Sequence, residues 1–141
     1  MKMNEKEIQA YQELQAYTLS HGDPSFIHQH VVDAWALQHA DEHTKPITVT
    51  CALVGLYLHI ERGWSGRAVQ RVHMIMGRRK RVWPQWRVPV ERGSMTVEQV
   101  MVCSPGSERD RAIEAWCRSV WQAWQDNRPL VAELLREYAI H

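Results

Sequence analysis

A chain of 141 residues with 45% hydrophobic and 23% charged side chains and a net charge of +1 is long enough to bury roughly two thirds of its unfolded surface, so one domain is expected without covalent staples. Its three cysteines, Cys51, Cys103 and Cys117, are widely spaced with no CxxC pair, which argues against a disulfide scaffold and a cysteine zinc site. The opening MKMNEKEIQAYQEL mixes charges without an apolar core region, and no apolar run approaches the about 18 residues of a spanning helix; the expectation is a cytoplasmic, bacterial-type protein with no membrane partner.

In chain order, Ile8, Tyr11, Leu14 and Tyr17 recur at three-residue steps. They predict an N-terminal helix within residues 1–22 that stops near His21-Gly22-Asp23-Pro24. Asp23 or Ser25 then caps a second helix running to about His39 or His43, where Thr44-Lys45-Pro46 ends it. Steps of four, three and four residues place His28, Val32, Trp35 and His39 on one half-buried stripe of that helix. Imidazole is the commonest metal ligand and the side chain most easily made acid or base near neutral pH, so a pair on one face marks where chemistry would start.

The third segment, ITVTCALVGLYLHIERG from Ile47, is apolar nearly all round and reads as the central helix of a bundle. Its β-branched Ile47, Val49 and Thr50 leave a strand start open. Thr48, Ala52, Gly55 and His59 share one face, so a small-residue groove ends in an imidazole. Glycine inside a helix costs roughly 0.5 to 1 kcal/mol relative to alanine, and Gly55 therefore suggests that something needs the room.

A fourth helix, Ser65 to Gly77, carries Val69, Val72, His73 and Met76 on a broad face with Arg67, Arg71 and Arg78 elsewhere. Residues 79–95 break periodicity and form a long irregular loop, a candidate lid. Thr96 and Gln99 have the capping-box spacing and open a short helix. From Ser107, Ile113, Trp116, Cys117, Val120 and Trp124 form one seam extended by Trp121, while Arg109, Arg118 and Gln122 face away; these tryptophans read as core. Pro129 opens a last helix with Leu130, Val131, Leu134 and Tyr138. The fold expected is all-α, a compact bundle of five or six helices in a single domain over 1–141.

Charge is unevenly laid out. Residues 1–61 carry three basic and eight acidic side chains, 62–92 nine and one, and 93–141 five and seven. The densest part is GRRKRVWPQWR, where Arg78, Arg79, Lys80 and Arg81 precede two tryptophans, a composition compatible with phosphate contacts and base stacking. A solvated linker answering the acidic flanks is the plainer alternative.

His28, the run Asp33 to His39 (DAxxxQH), Leu53, Leu56-Tyr57, Pro89 to Gly93, Thr96-Val97 and the closing Trp116 to Trp124 (WxxxVWxAW) resemble a family of uncharacterised small bacterial proteins. The resemblance spans about residues 24–138 as a core, and it implies a shared fold and site but no activity. Proline usually follows the QH pair in similar sequences, whereas this chain has Ala40, which leaves the end of the second helix open. In outline the layout is similar to DinB-like bundles, which gather three histidines in a central cleft, although their spacing is not reproduced here.

For chemistry, His39-Ala40-Asp41-Glu42-His43 matches HxxEH, but the match sits at a helix end and lacks the rest of a zinc-protease fold. A scattered bundle site is the stronger candidate. His28 and His39 lie about 16 Å apart along the axis, so one of them is expected to join His59 and His73, or Asp33 if the helix is rotated; the best candidate set is His28, His59 and His73, holding zinc or iron in a histidine-lined internal cleft that acts on a small molecule. Asp33, Gln38, His39 and Trp35 would support the metal or bind the ligand. Without metal the same groups form a hydrogen-bonded network or a general base. The alternative function is a non-catalytic module using Arg78, Arg79, Lys80 and Arg81 on an anionic partner or nucleic acid. A homo-oligomer anchored by Trp83 and Trp86 is a third option, and no nucleotide-cofactor motif is present.

Overall fold

Seven α-helices, α1 (Glu5–Ser20), α2 (His28–Gln38), α3 (Pro46–Arg62), α4 (Gly66–Gly77), α5 (Val97–Met101), α6 (Ser107–Ala123) and α7 (Arg128–Glu137), with a 3-10 turn at Gln125–Asn127, make up the computed structural model, which describes residues 4–140. The fold is all-α, with no strand among the described residues. Six long helices and the short Thr96-capped helix expected from the sequence bring the count to seven among the described residues, one more than the bundle of five or six.

Local chemistry sets most of the boundaries. Asn4 accepts the Glu7 N–H at 2.7 Å and Ser65 the Ala68 N–H at 3.1 Å, each satisfying an orphan donor of a first turn. Thr96 and Gln99 form the reciprocal capping box expected of them. Pro46 sits in the first turn of α3, where its fixed φ suits a helix, and this settles the Ile47–Thr50 stretch as helix. The α2 helix stops at Gln38, short of His43. Beyond it the Asp41 carboxylate accepts the His43 N–H at 2.8 Å and Thr44 Oγ1 accepts the Asp41 N–H at 3.0 Å, a side-chain turn that competes with the helix ladder. His39 and His43 consequently do not share a helical face, and the HxxEH pattern has no helix to stand on.

The α3 helix is the axis of the fold, packed by α2, α4, α6 and α7. Leu53, Val54, Leu56 and Leu58 on α3 are buried together with Leu14, Leu37, Met76, Ile113 and the α6 tryptophans Trp116 and Trp121. Those indoles are core, as their spacing predicts, and the buried N–H groups find acceptors: Trp121 Nε1 donates to Glu61 Oε2 at 2.8 Å and Trp116 Nε1 to Gln38 Oε1 at 2.9 Å. Arg109 departs from its expected outward position. It is buried, donating to the Met101 and Cys103 carbonyls, because the last carbonyls of α5 lack helix partners and a cation satisfies them.

The irregular segment between α4 and α5 is fastened from Trp86 onward, contrary to the lid expectation. Trp86 Nε1 donates to Thr50 Oγ1 at 2.8 Å. Asn127 accepts the Arg87 N–H and returns a hydrogen bond to the Arg87 carbonyl, both at 2.8 Å. Gln38 donates to the Arg92 and Met95 carbonyls. Each bond supplies a backbone or indole group that the missing helix ladder leaves unpaired.

Candidate functional site

The inward face of α2 is not the stripe that holds His28. His30, Asp33, Ala34, Leu37 and Gln38, at steps of three and four from His30, are buried together with Val31, while His28, Val32, Trp35 and His39 are only partly buried. Three of those four residues pair with α1. His28 Nδ1 shares a 2.9 Å hydrogen bond with Thr18 Oγ1, Trp35 stacks on Tyr11 with ring centroids 4.1 Å apart, and His39 Nε2 meets Glu7 Oε1 at 2.9 Å. The stripe is a helix–helix seam.

His30 instead meets α3. Its ring stacks on His59 with centroids 3.5 Å apart and planes 14° from parallel, and His59 Nε2 lies 2.7 Å from Glu114 Oε2 on α6. A carboxylate only accepts, so His59 Nε2 carries the proton in that bond. The other nitrogen, Nδ1, has a single long approach of 3.4 Å to the Trp64 carbonyl. Hydrogen bonding from His59 holds the Glu114 carboxyl below its usual range, against the smaller effect of burial. Burial, reinforced by the neighbouring His59, lowers His30 to about 3, so His30 is neutral at physiological pH. Its Nδ1 is buried without a hydrogen-bond partner.

A second polar group lies where α2, α3 and α4 meet. The Asp33 carboxyl is fully enclosed, and burial raises it well above the ordinary range despite the 3.1 Å hydrogen bond that Gln29 donates to Oδ1. Its Oδ2 has no partner within hydrogen-bond distance and stands 3.9 Å from His73 Nε2. That nitrogen donates to the Cys51 carbonyl at 2.6 Å, which fixes the tautomer, and burial lowers His73 as well. Burial thus favours the uncharged form of both the Asp33 acid and the His73 imidazole, which limits the cost of enclosing charge. Burial also pushes the Cys51 thiol up to about 11, so it is a protonated, weakly nucleophilic group.

Gly55 owes its absent side chain to this pair. A Cβ there would stand 1.9 Å from Asp33 Oδ2 and 3.2 Å from His73 Nε2, so the room read from the sequence is taken by the Asp33 carboxyl. Gly55→Ala gains about 1 kcal/mol of helix propensity, yet overpacking against an enclosed carboxyl outweighs it, and we expect a net loss of about 1–3 kcal/mol in urea unfolding. An unchanged or raised midpoint would show that the space is not needed.

The structure therefore separates the three histidines expected to share a metal. His28 turns to α1, His59 to Glu114 and His73 to Asp33 and Cys51, and among the described residues no group of three or more His, Cys, Asp or Glu side chains is placed to hold a metal ion. Gln38 orients no imidazole: its carbonyl is taken by Trp116 and its amide by the 79–95 loop. Through that one indole hydrogen bond the DAxxxQH and WxxxVWxAW segments meet. Arg78, Arg79, Lys80 and Arg81 are exposed, with Arg81 bonded to Glu137 at 2.8 Å. Sequence reasoning missed His30 and Glu114. The signal for His30 was present, since Ala34 and Leu37 follow it at helical spacing; Glu114 sits among charges on α6 and carried none.

No curated protein and no solved structure matches this chain at a significant level. The model of a family of unknown function, DUF5946, matches residues 8–125, and the chain belongs to that family.

Proposed function

We propose that this is a helical domain acting on a small polar molecule through His59, with Glu114 orienting the ring and His30 covering one of its faces. One observation carries the reading: two imidazoles in face contact at 3.5 Å with a carboxylate oxygen 2.7 Å from the outer ring. With Nε2–H given to Glu114, Nδ1 is the nitrogen left to take a proton from a substrate hydroxyl or from an attacking water, and the imidazolium so formed is stabilised by the anionic Glu114 and by the Trp64 carbonyl 3.4 Å from Nδ1, which accepts from the ring only in that form. His30 stays neutral and adds no competing charge.

A divalent-metal centre is the second reading, favoured by the buried, partnerless His30 Nδ1. His30, His59 and Glu114 are ligand types suited to zinc or iron, and they would have to turn to converge on one ion.

Hydrolysis of p-nitrophenyl acetate, an ester that reports accessible imidazole, tests both readings when followed before and after added Zn2+. The acid–base reading expects metal-independent activity that falls at least about tenfold in His59→Gln and severalfold in Glu114→Gln. Activity that needs zinc and is lost in His30→Gln as well selects the metal centre. Activity indifferent to all three variants removes the site.

A further inference from the structure

The outer face of α4 combines two properties that the histidine site does not use. Arg67, Arg71, Met74, Ile75 and Arg78 fall within about 100° of the helical wheel, and all five are exposed. The opposite arc, Val69, Val72 and Met76, is buried in the core. Met74 and Ile75 keep 56% and 46% of their surface in solvent, and the exposed run continues through Arg79, Lys80 and Arg81 to Val82, which is 91% exposed. No acidic residue occurs between Glu61 and Glu91. Two carboxylates border this surface from elsewhere in the chain, Glu137 of α7, which pairs with Arg81, and Asp23, which lines a hollow with Arg67. Arg79, Lys80 and Arg81 line a shallow hollow with Val82, Glu137 and Tyr138.

We propose that the outer face of α4 and the Arg78–Val82 run dock on an anionic membrane surface, the cations meeting lipid phosphates while Met74, Ile75 and Val82 reach the acyl boundary. Charge complementarity calls for a polyanion, and the kind of apolar group selects among polyanions. Single-stranded nucleic acid is held by aromatic platforms. Here Trp86 is bonded to Thr50, Trp83 lies beneath the Arg81 guanidinium at 5.1 Å, and both indoles pack against the core. The side chains left outward among the cations are aliphatic, which suit insertion below headgroups. Among the described residues no helix is long and apolar enough to cross a membrane, so the attachment is peripheral. The sequence-based expectation of no membrane partner weighed spanning segments alone, without the aliphatic side chains on the cationic face.

Co-sedimentation of the full chain with phosphatidylcholine vesicles, with and without phosphatidylserine, tests the proposal. Binding is expected to tighten about tenfold or more with the anionic lipid and to weaken with salt. The pair Arg78→Glu/Arg79→Glu should abolish binding, and Met74→Ser/Ile75→Ser should weaken it severalfold. Unchanged thermal midpoints in both pairs confirm that the exposed substitutions leave the fold intact. Absence of binding at low salt overturns the proposal. So does vesicle binding untouched by the serine pair, or tighter binding to a single-stranded RNA competitor than to the vesicles, either of which makes the patch a general polyanion contact.

Discussion

His30→Gln should make the protein far less sensitive to acid. Free histidine titrates at 6.5 and His30 in the fold at about 3, chiefly through burial. Between those values the unfolded chain binds a proton that the folded chain refuses, so stability tied to His30 is complete above about pH 6.5 and lost as pH falls towards 3. A shift of that size corresponds to up to about 5 kcal/mol, comparable with the whole stability of many domains. Urea unfolding of both proteins across this range is the measurement. The variant's stability relative to the parent should rise steadily as pH falls, whatever offset the substitution introduces at neutral pH. Parallel curves would mean that the His30 ring is hydrated and that the stacked pair is not the enclosed unit described above.

Asp33→Asn should act with the opposite sign. The Asp33 carboxyl is raised by burial, so above its unfolded value near 3.8 the folded chain holds a proton that the unfolded chain releases. Stability falls as pH rises from there to the folded value. Asparagine keeps the shape, still accepts from Gln29 and cannot ionise. The advantage of the variant over the parent should therefore widen as pH rises above about 3.8 and level off once pH passes the folded value, in thermal or urea unfolding. An advantage that stays constant with pH would show that Asp33 is ionised in the fold. In the parent protein the two groups oppose each other over the mildly acidic range, and only the single variants reveal either slope.

The two slopes also bear on the candidate site. An enclosed carboxyl with a partnerless oxygen and an imidazole with a partnerless nitrogen are expensive features in a core that apolar residues would fill well. They lie on successive turns of one inward stripe of α2, facing α3. Gly55 on α3 leaves room for the first, and His59 on α3 stacks against the second.

Most helices were legible from local signals. The α3 segment is apolar all round because it is the axis, and the Thr96–Gln99 box, the proline at the start of α3 and the tryptophan seam of α6 behave as their spacing says. The rotation of α2 was not. Its two faces both carry histidines, and a wheel built on His28 and His39 is as regular as one built on His30, Ala34 and Leu37. The difference is made by the partners that lie against each face, namely Tyr11, Thr18 and Glu7 on one side and α3 with α6 on the other. Arg109 and the 79–95 loop were misjudged for a related reason, since a charged side chain or an irregular backbone is buried only where distant groups complete its hydrogen bonds.

Composition and periodicity alone settled that this chain is helical, with the α6 tryptophan seam inside and its cations concentrated after α3, because burial pattern and charge are properties of residues in order along one element. Which imidazole meets which carboxylate, why Gly55 lacks a side chain, and which apolar groups stay outside with the arginines were decided by tertiary packing. Each of those depends on groups far apart in the chain, and the free energy of enclosing a polar atom is set by what surrounds it rather than by its neighbours in sequence.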